Sequence, residues 1–325
     1  MADSFFSRTH SVPRFEGDQS RGHHDVPVWR LAARGAVEAV RRRRELRDVR
    51  EFVQFVGFPR SGHSLIGSIL DAHPGAVVSH ELDAMGLFRA GLPERVVYGL
   101  VLDNSARFSE HGRYWNGFSY VVPGQDGGGA KRATVLGDKK GDWAVRWTQR
   151  EPGLLGDVRR RVRARCRWVL VTRHPLDNVA TMSLRKGRVY DRLRIAAPDS
   201  AAFKAELKAA QERGEVASAA LDSMIDDYET LCEGVERMRA ALPPDDWHHV
   251  VYEDFTASPE DEIRRLCAFL GLDPEPDYVA AAAATVYDSP NKSRRAVTWT
   301  DAQRARVDAL IRRFPFLDAY ADDDA

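Results

Sequence analysis

The sequence over residues 52–74 is FVQFVGFPRSGHSLIGSILDAHP. Its first residues are apolar and rich in β-formers, which predicts a buried strand over 52–56. A tight loop with two glycines and a proline follows. From His63 onward apolar residues recur at helical spacing until His73 and Pro74 end the helix. A strand, a glycine-containing loop and a helix form a phosphate cradle, because loop N–H groups and the positive end of the helix dipole point at one place.

The loop, called here the phosphate loop (residues 57–64), has the spacing of a nucleotide-binding P-loop but lacks its lysine. Four residues separate Gly57 from Gly62, and His63 and Ser64 follow where Lys-Ser or Lys-Thr would stand. A basic residue lies inside the loop instead, as Arg60. The sequence therefore predicts an anion cradle with an arginine partner and argues against a metal-assisted NTPase. A βα turn whose glycines serve only packing is the structural alternative.

These residues resemble a known family. The segments 59–62 (PRSG), 64–65 (SL) and 70–74 (LDAHP) are similar to the 5′-phosphosulfate loop of sulfotransferases that use 3′-phosphoadenosine 5′-phosphosulfate (PAPS). The closest similarity is to the protein-tyrosine sulfotransferase branch and its bacterial relatives. The family usually has threonine where this chain has His63. The residues that the resemblance implies as ligands of the 5′-phosphosulfate are Arg60, Ser61, Gly62, His63 and Ser64.

Composition limits the classes of function. The chain has 325 residues, of which 43% are hydrophobic, and 48 basic residues balance 48 acidic ones. This length suits one large α/β domain, and the balanced charge argues against a nucleic-acid partner. The three cysteines lack metal-ligand spacing and are expected as reduced core thiols. We expect a cytoplasmic, bacterial protein with no membrane span and no metal.

Alternating strands and helices predict an α/β fold, a P-loop-NTPase-like parallel sheet covered by helices on both faces. Residues 1–26 are expected as a flexible leader and residues 27–325 as a single sulfotransferase-like domain. An insert at 84–130 is expected to shape the acceptor pocket. Within it, residues 84–109 have helical periodicity, and a glycine-rich loop is predicted to join two strands, around 118–122 and 133–136. The other predicted elements are helices over 29–50, 176–188, 201–242, 259–270 and 301–313, and strands over 75–79, 167–172 and 247–252.

Ligands of parallel sheets bind at the carboxyl ends of the strands. Arg60, Glu81, Arg173 and Glu253 each follow a predicted strand closely. We therefore expect these four residues to share one edge of the sheet.

Arg173 follows the apolar strand 167–172, which is predicted to be central, and a charge at the end of a buried strand needs a reason. In sulfotransferases an arginine at this strand end and a serine eight residues later bind the 3′-phosphate of PAPS. The resemblance implies this role for Arg173 and for Thr181 at the serine position, with Ser183 as a less close substitute. Arg173 could instead cap the sheet edge through a salt bridge to Asp177. A metal-dependent kinase would need an aspartate at such a strand end.

The general base is predicted at one of two adjacent residues. Glu81 lies 21 residues after Arg60, the spacing of the base in the tyrosyl-sulfotransferase pattern. A carboxylate can take the proton of an acceptor hydroxyl that attacks sulfur. His80 is the alternative, because imidazole titrates near neutrality and small-molecule sulfotransferases use a histidine base.

Two basic segments resemble further parts of the family's cofactor site. Lys139 is similar to a lysine that contacts the bridging oxygen of the leaving phosphate, which is a charge that the chemistry must neutralise. Because Lys140 and Asp138 are adjacent to Lys139, the position that takes this role is open by one residue. A second segment resembles the loop that folds over the cofactor, with Ser293 implied at the sulfate end and one of two arginines at the 3′-phosphate. Its residues are Lys292, Ser293, Arg294 and Arg295.

The resemblance implies transfer of a sulfuryl group from PAPS to a hydroxyl of a small-molecule, carbohydrate or lipid acceptor, with release of 3′-phosphoadenosine 5′-phosphate (PAP). Two alternatives stay open, a P-loop kinase of a small molecule and a non-catalytic nucleotide-binding module. The tyrosine branch has an arginine two residues after the base for an acidic peptide, where this chain has Asp83. The acceptor and the oligomeric state therefore remain open.

Overall fold

The structure is a computed structural model that describes residues 9–13, 23–115, 118–125, 132–189, 205–206, 208–210, 212–215, 218–287 and 290–322. The strands in it are β1 Thr9–Pro13, β2 His23–Pro27, β3 Glu51–Gly57, β4 Ala76–Ser79, β5 Tyr114–Trp115, β6 Phe118–Ser119, β7 Val135–Asp138, β8 Arg165–Thr172, β9 Ser218–Ala219, β10 Trp247–Val251 and β11 Val297–Thr298.

The helices surround the largest sheet. In chain order they are α1 Val28–Arg41, α2 His63–Ala72, α3 Ala84–Arg89, α4 Glu94–Glu110, α5 Gly141–Arg150, α6 Leu154–Arg161, α7 Pro175–Lys186, α8 Asp222–Ala241, α9 Tyr252–Ala257, α10 Pro259–Leu270, α11 Pro276–Ala283 and α12 Asp301–Arg313. Short 3₁₀ turns add Pro244–Asp246, Ser293–Ala296 and Pro315–Tyr320. No helix among the described residues is both long and apolar enough to cross a membrane.

The largest sheet of the described residues has five parallel strands in the order β10, β8, β3, β7, β4. Successive side chains of β3 point to opposite faces. Phe52 and Val56 pack in one apolar core with Leu100 of α4, whereas Val53 and Phe55 pack in a second core with Ile66 of α2. Both faces are therefore covered by helices, and the predicted fold class is confirmed.

Four local predictions need correction. The helix predicted over 29–50 ends at Arg41, where a run of arginines begins. The helix predicted over 84–109 is two helices, because Pro93 has no N–H to donate and starts α4. The strand after which Arg173 lies is not central, since β8 sits one place from the edge and β3 occupies the middle. Pro276–Ala283 is a helix that the sequence analysis did not predict.

The strands predicted on either side of the glycine-rich loop, around 118–122 and 133–136, are present as β6 and β7 and lie in different sheets. β6 pairs with β5 in a separate hairpin, whereas β7 lies in the large sheet between β3 and β4. Gly137 allows this insertion, because a Cβ there would lie 2.3 Å from the carbonyl oxygen of Val53. Most of the glycine-rich loop and the start of the segment predicted helical over 201–242 lie outside the described residues.

A buried ion pair joins α2 to the segment after α4. Arg113 Nη1 donates to Asp71 Oδ2 at 2.6 Å, and both side chains are almost completely buried. Asp71 also accepts from the N–H of Val78 at 2.8 Å and from the Ser105 hydroxyl at 2.9 Å. This cluster fixes the C-terminal turn of α2 against β4, and so it supports the helix that begins at the phosphate loop.

We expect Arg113→Met to lower the free energy of unfolding by about 3–5 kcal/mol, since it leaves the buried Asp71 charge without its cation. Urea denaturation followed by circular dichroism measures this change. The matched control is Arg34→Met, which removes the more exposed pair between Arg34 and Asp103. That control should change stability by about 1 kcal/mol or less. Equal losses in the two variants would contradict the role given to the buried pair.

Candidate active site at the carboxyl ends of the strands

A cavity of about 1030 Å³ opens at the carboxyl ends of β3, β4 and β8. The predicted site residues that line it are Arg60, Gly62, His63, Ser64, Glu81, Arg173, Thr181, Lys292, Ser293 and Arg295. The remaining predicted residues do not line it and are Ser61, His80, Lys139, Ser183 and Arg294. The topology thus brings most of the predicted residues together, although they are far apart in sequence.

The phosphate loop depends on Gly62. This residue has φ of +99°, a conformation that side chains rarely adopt, and a Cβ would lie 2.3 Å from the ring of Tyr252. Arg60 also has positive φ, at 70°, which costs on the order of 1–3 kcal/mol. The helix α2 starts directly after Gly62, at His63. The loop therefore has the strand–loop–helix geometry that suits an anion.

His63 stands where the family usually has threonine. It is buried at the start of α2, and its Nδ1 lies 3.5 Å from Ser61 Oγ. Burial and the nearby Lys139 charge lower the pKa of His63 from 6.5 to about 3. The imidazole is therefore neutral at physiological pH and can offer one donor and one acceptor to a ligand, much as a hydroxyl does.

Glu81 is held between two lysines. Lys139 Nζ donates to Glu81 Oε1, and Lys140 Nζ lies 3.3 Å from Glu81 Oε2. Lys139 also donates to Ser64 Oγ at 2.9 Å, which links the carboxylate to the phosphate loop. Burial alone would raise the pKa of Glu81, but the two lysines lower it well below its usual value. Glu81 is therefore ionised at neutral pH and faces the cavity.

Of the two predicted bases, only Glu81 lines the cavity. The His80 ring stacks on Phe108 with ring centroids 4.1 Å apart and meets Trp115 edge-on at 4.9 Å. Burial and the Lys139 charge lower the pKa of His80 well below 6.5. These contacts point to a packing role for His80.

Asp83 takes part in the local fold. Its carboxylate accepts from the N–H of Gly86 at 3.1 Å, as the N-cap of α3, and from Trp147 Nε1 at 3.0 Å. Burial raises the pKa of Asp83 to about 7. Asp83 is thus directed at α5 and does not line the cavity.

Arg173 is buried and contacts neutral oxygens. Its guanidinium donates to the carbonyl of Asn291, and reaches the carbonyl of Arg60 and the hydroxyl of Thr181 at 3.4 Å each. Its Nε has no hydrogen-bond partner among the described residues. The alternative salt bridge to Asp177 is absent there, because Asp177 accepts from the N–H of Arg294 at 2.7 Å.

The direction of the side chains decides which of the two candidate hydroxyls and which of the two candidate arginines lines the cavity. Thr181 Oγ1 donates to Ser293 Oγ at 3.0 Å beside Arg173. Ser183 lies farther along α7 and accepts from the N–H of Leu221 at 3.1 Å, away from the cavity. Of the two arginines, Arg295 lines the cavity, whereas Arg294 Nη1 lies 3.9 Å from an Asp177 oxygen.

Several cavity residues were missed by the sequence analysis. They include five aromatic residues and two carboxylates, namely Trp115, Phe118, Tyr120, Trp143, Tyr287, Asp142 and Glu212. Four aromatic residues within 114–120 were the available signal. Burial and the Glu81 charge raise the pKa of Asp142. No group of three or more histidine, cysteine, aspartate or glutamate side chains in the described ranges could hold a metal ion.

Residues 165–277 match the Sulfotransfer_3 family model, described as "Sulfotransferase family". The resemblance to sulfotransferases is confirmed. The match covers about a third of the chain and contains Arg173 and Thr181, whereas the phosphate loop and Glu81 lie outside it. No curated protein matches the chain.

Three solved structures illustrate the structural similarity. The sulfotransferase domain of the Synechococcus PCC 7002 olefin synthase is 14% identical with a TM-score of 0.47, over 86% of this chain and 97% of that one. A sulfotransferase from Alicyclobacillus acidocaldarius is 17% identical with a TM-score of 0.44, and the match covers 85% of this chain and 98% of that one. Mouse sulfotransferase SULT7A1, complexed with PAP, is 14% identical with a TM-score of 0.40, and the match covers 86% of this chain and 90% of that one. Such remote similarity does not identify a substrate.

The buried neutral His63 makes stability depend on pH. The unfolded chain binds a proton near pH 6.5 and the folded chain only near 3, so stability from this residue is complete above 6.5 and is lost as the pH falls. We expect His63→Gln to reduce the slope of unfolding free energy between pH 6.5 and about 4.5 by up to about 1.4 kcal/mol per pH unit. Urea denaturation at several pH values measures the slope.

The control for this experiment is His111→Gln, because His111 is exposed after the end of α4. The loss of slope in His111→Gln should be smaller than in His63→Gln, because the large effect is assigned to the buried imidazole. A slope that stays the same in His63→Gln would contradict a buried neutral imidazole at the phosphate loop.

Proposed function

We propose that this protein transfers a sulfuryl group from PAPS to a hydroxyl of a small-molecule, carbohydrate or lipid acceptor and releases PAP. The observation that most supports the proposal is the buried Arg173 guanidinium, which donates to neutral oxygens and keeps an unpartnered Nε among the described residues. The carboxylates of Asp177 and Glu253 are close enough to act on this charge but form no salt bridge with it among the described residues, so the buried charge is incompletely compensated, which is costly. A phosphate group bound there would offset that cost and make charge-assisted hydrogen bonds.

The two anionic ends of PAPS fit two parts of the cavity. The 5′-phosphosulfate would lie at the phosphate loop, where the start of α2 and Arg60 favour negative charge. The 3′-phosphate would lie beside Arg173, where Thr181 and Ser293 offer hydroxyls. Lys292 and Arg295 line the same region and add positive charge.

The reaction needs a base and a group that stabilises the leaving phosphate. The acceptor oxygen attacks sulfur, and its proton passes to the ionised Glu81. The bond from sulfur to the bridging oxygen breaks, and its electron pair stays on the 5′-phosphate of PAP. Lys139 and Arg60 neutralise that developing charge, as in phosphoryl transfer. Lys139 does not line the cavity, but its Nζ contacts Ser64 of the phosphate loop at 2.9 Å and so brings its charge to that loop, whereas its neighbour Lys140 lines the cavity directly.

The cavity wall supports an acceptor that offers an apolar or ring-shaped face. Trp115 lies next to the predicted base, with Lys139 Nζ 5.9 Å from its ring centroid. Phe118 and Trp143 extend this aromatic surface along the cavity. Aromatic side chains bind aromatic rings, apolar bodies and the apolar faces of sugars through large contact areas.

We expect Arg173→Ala to weaken PAP binding about 10- to 100-fold, because hydrogen bonds to a charged group contribute roughly 1.5–3 kcal/mol. Calorimetric titration with PAP measures the loss, and titrations with ADP and with ATP plus magnesium run in parallel. The control Arg34→Ala removes an exposed arginine of α1 and should leave PAP affinity unchanged. Magnesium-dependent ATP binding together with indifference to PAP would instead support a small-molecule kinase.

We expect Glu81→Gln to keep PAP affinity within a few fold and to lower sulfuryl transfer by about 10²- to 10⁴-fold, since the amide cannot accept the acceptor's proton. Transfer is measured as PAP release from PAPS across a panel of phenols, alkyl alcohols and sugars. A protein that binds PAP tightly but transfers no sulfuryl group to any acceptor, whether or not Glu81 is substituted, would be the non-catalytic binding module.

A further inference from the structure

The backbone around Glu81 is in a conformation that side chains other than glycine rarely adopt. Glu81 has φ of 60° and Asp83 has φ of 66°, so two of three successive residues lie in the left-handed region. Such a backbone persists only where surrounding contacts determine it. The direction of the Glu81 carboxylate therefore depends on whatever holds residues 80–84.

The group that holds this segment is the carboxylate of Asp138, at the end of β7. Its Oδ1 accepts from the N–H of Leu82 at 3.1 Å and from the Ser79 hydroxyl at 2.9 Å. Its Oδ2 accepts from the N–H of Ala84 at 2.9 Å. Asp138 is fully buried and has no salt-bridge partner among the described residues. Both of its oxygens are used to fix the main chain on either side of Asp83.

The main chain of Asp138 is itself fixed by the central strand. The buried side chain of Gln54 on β3 donates to the carbonyl of Asp138 at 3.1 Å and to that of Lys140 at 3.4 Å. The N–H of Lys139 donates to the carbonyl of Ser79 at 3.1 Å. One short segment thus supplies the lysines that hold the Glu81 carboxylate and the aspartate that holds the Glu81 backbone.

We propose that Asp138 is a positioning residue for catalysis: its carboxylate fixes residues 80–84 so that Glu81 lies between Lys139 and Lys140 and faces the acceptor. This inference rests on the proposed function, because it takes Glu81 as the base. The fixing of residues 80–84 by Asp138 is independent of that function. Asp138 does not touch the cavity itself. Its effect on the reaction passes through Glu81.

The variant Asp138→Asn tests this directly, because it preserves shape and replaces one acceptor oxygen with an NH₂ donor. That donor then faces either the N–H of Ala84 or the donors at Leu82 and Ser79, so at least one hydrogen bond is lost. We expect amide hydrogen exchange at Leu82 and Ala84 to speed up at least about tenfold. We expect kcat for sulfuryl transfer to fall about 10- to 100-fold while the Kd for PAP stays within about twofold, because a displaced catalytic group affects the chemical step.

Two further variants separate positioning from general loss of stability. Asp246→Asn alters a buried aspartate before β10, at the opposite edge of the sheet, where it accepts from Arg165 Nε at 2.6 Å. It should lower stability without changing exchange at Leu82 and Ala84 or the kcat. Ser79→Ala removes one donor to Asp138 and should change exchange and kcat in the same direction as Asp138→Asn, but by only a few fold. It provides the measurement if Asp138→Asn does not fold.

The outcomes distinguish this inference from the proposed function. Unchanged exchange at Leu82 and Ala84 in the folded variants overturns the positioning role, whatever the activity. Faster exchange with unchanged kcat overturns the link to catalysis. Faster exchange in a protein that binds no PAP and transfers no sulfuryl group supports the positioning of the segment and rejects the proposed function.

Discussion

The positive charge at the carboxyl ends of the strands is the constraint on which the rest of the site depends. Glu81 forms ion pairs with both Lys139 and Lys140. Arg173 is surrounded by carbonyl and hydroxyl oxygens. Among the described residues that line the cavity, seven are lysines or arginines and three are carboxylates, so the edge retains positive charge. An anionic ligand fits such an environment better than a neutral one.

The local parts of the fold could be predicted because they depend on short sequence patterns. The strand over 52–56, the loop and the helix from His63 are encoded within residues 52–74, and the structure agrees with each of them. The place of β7 in the sheet could not be predicted, because strand order depends on contacts with distant residues. Its insertion between β3 and β4 depends on the close approach that Gly137 permits to Val53, and no spacing rule indicates this.

Most of the predicted site residues line one cavity, and the ambiguity between adjacent candidates has a physical cause. Adjacent residues point in different directions both after a strand, as at 80–81, and in a 3₁₀ turn, as at 294–295, so composition cannot tell which one faces the ligand. His80 packs on Phe108 while Glu81 faces the cavity, and Arg294 approaches Asp177 while Arg295 lines the cavity. The positive φ of Glu81 adds to this difficulty, since the sequence contains no signal that a non-glycine residue adopts it. The contacts of the Asp138 carboxylate with the N–H groups of Leu82 and Ala84 were missed for the same reason, because no sequence signal indicates this backbone conformation.

Asp83 bears on the acceptor because it occupies the position at which the tyrosine-branch pattern has an arginine. In the tyrosine branch the corresponding position supplies an arginine for an acidic peptide, whereas Asp83 caps α3 and accepts from the Trp147 indole. The cation is lost and the replacing carboxylate is used by the fold. The cavity is still lined by cations, among them Lys140, Arg185 and Lys208, as well as by the carboxylates of Glu81, Asp142 and Glu212. Under the proposed function, the aromatic side chains beside Glu81 favour acceptors with an apolar or ring-shaped face.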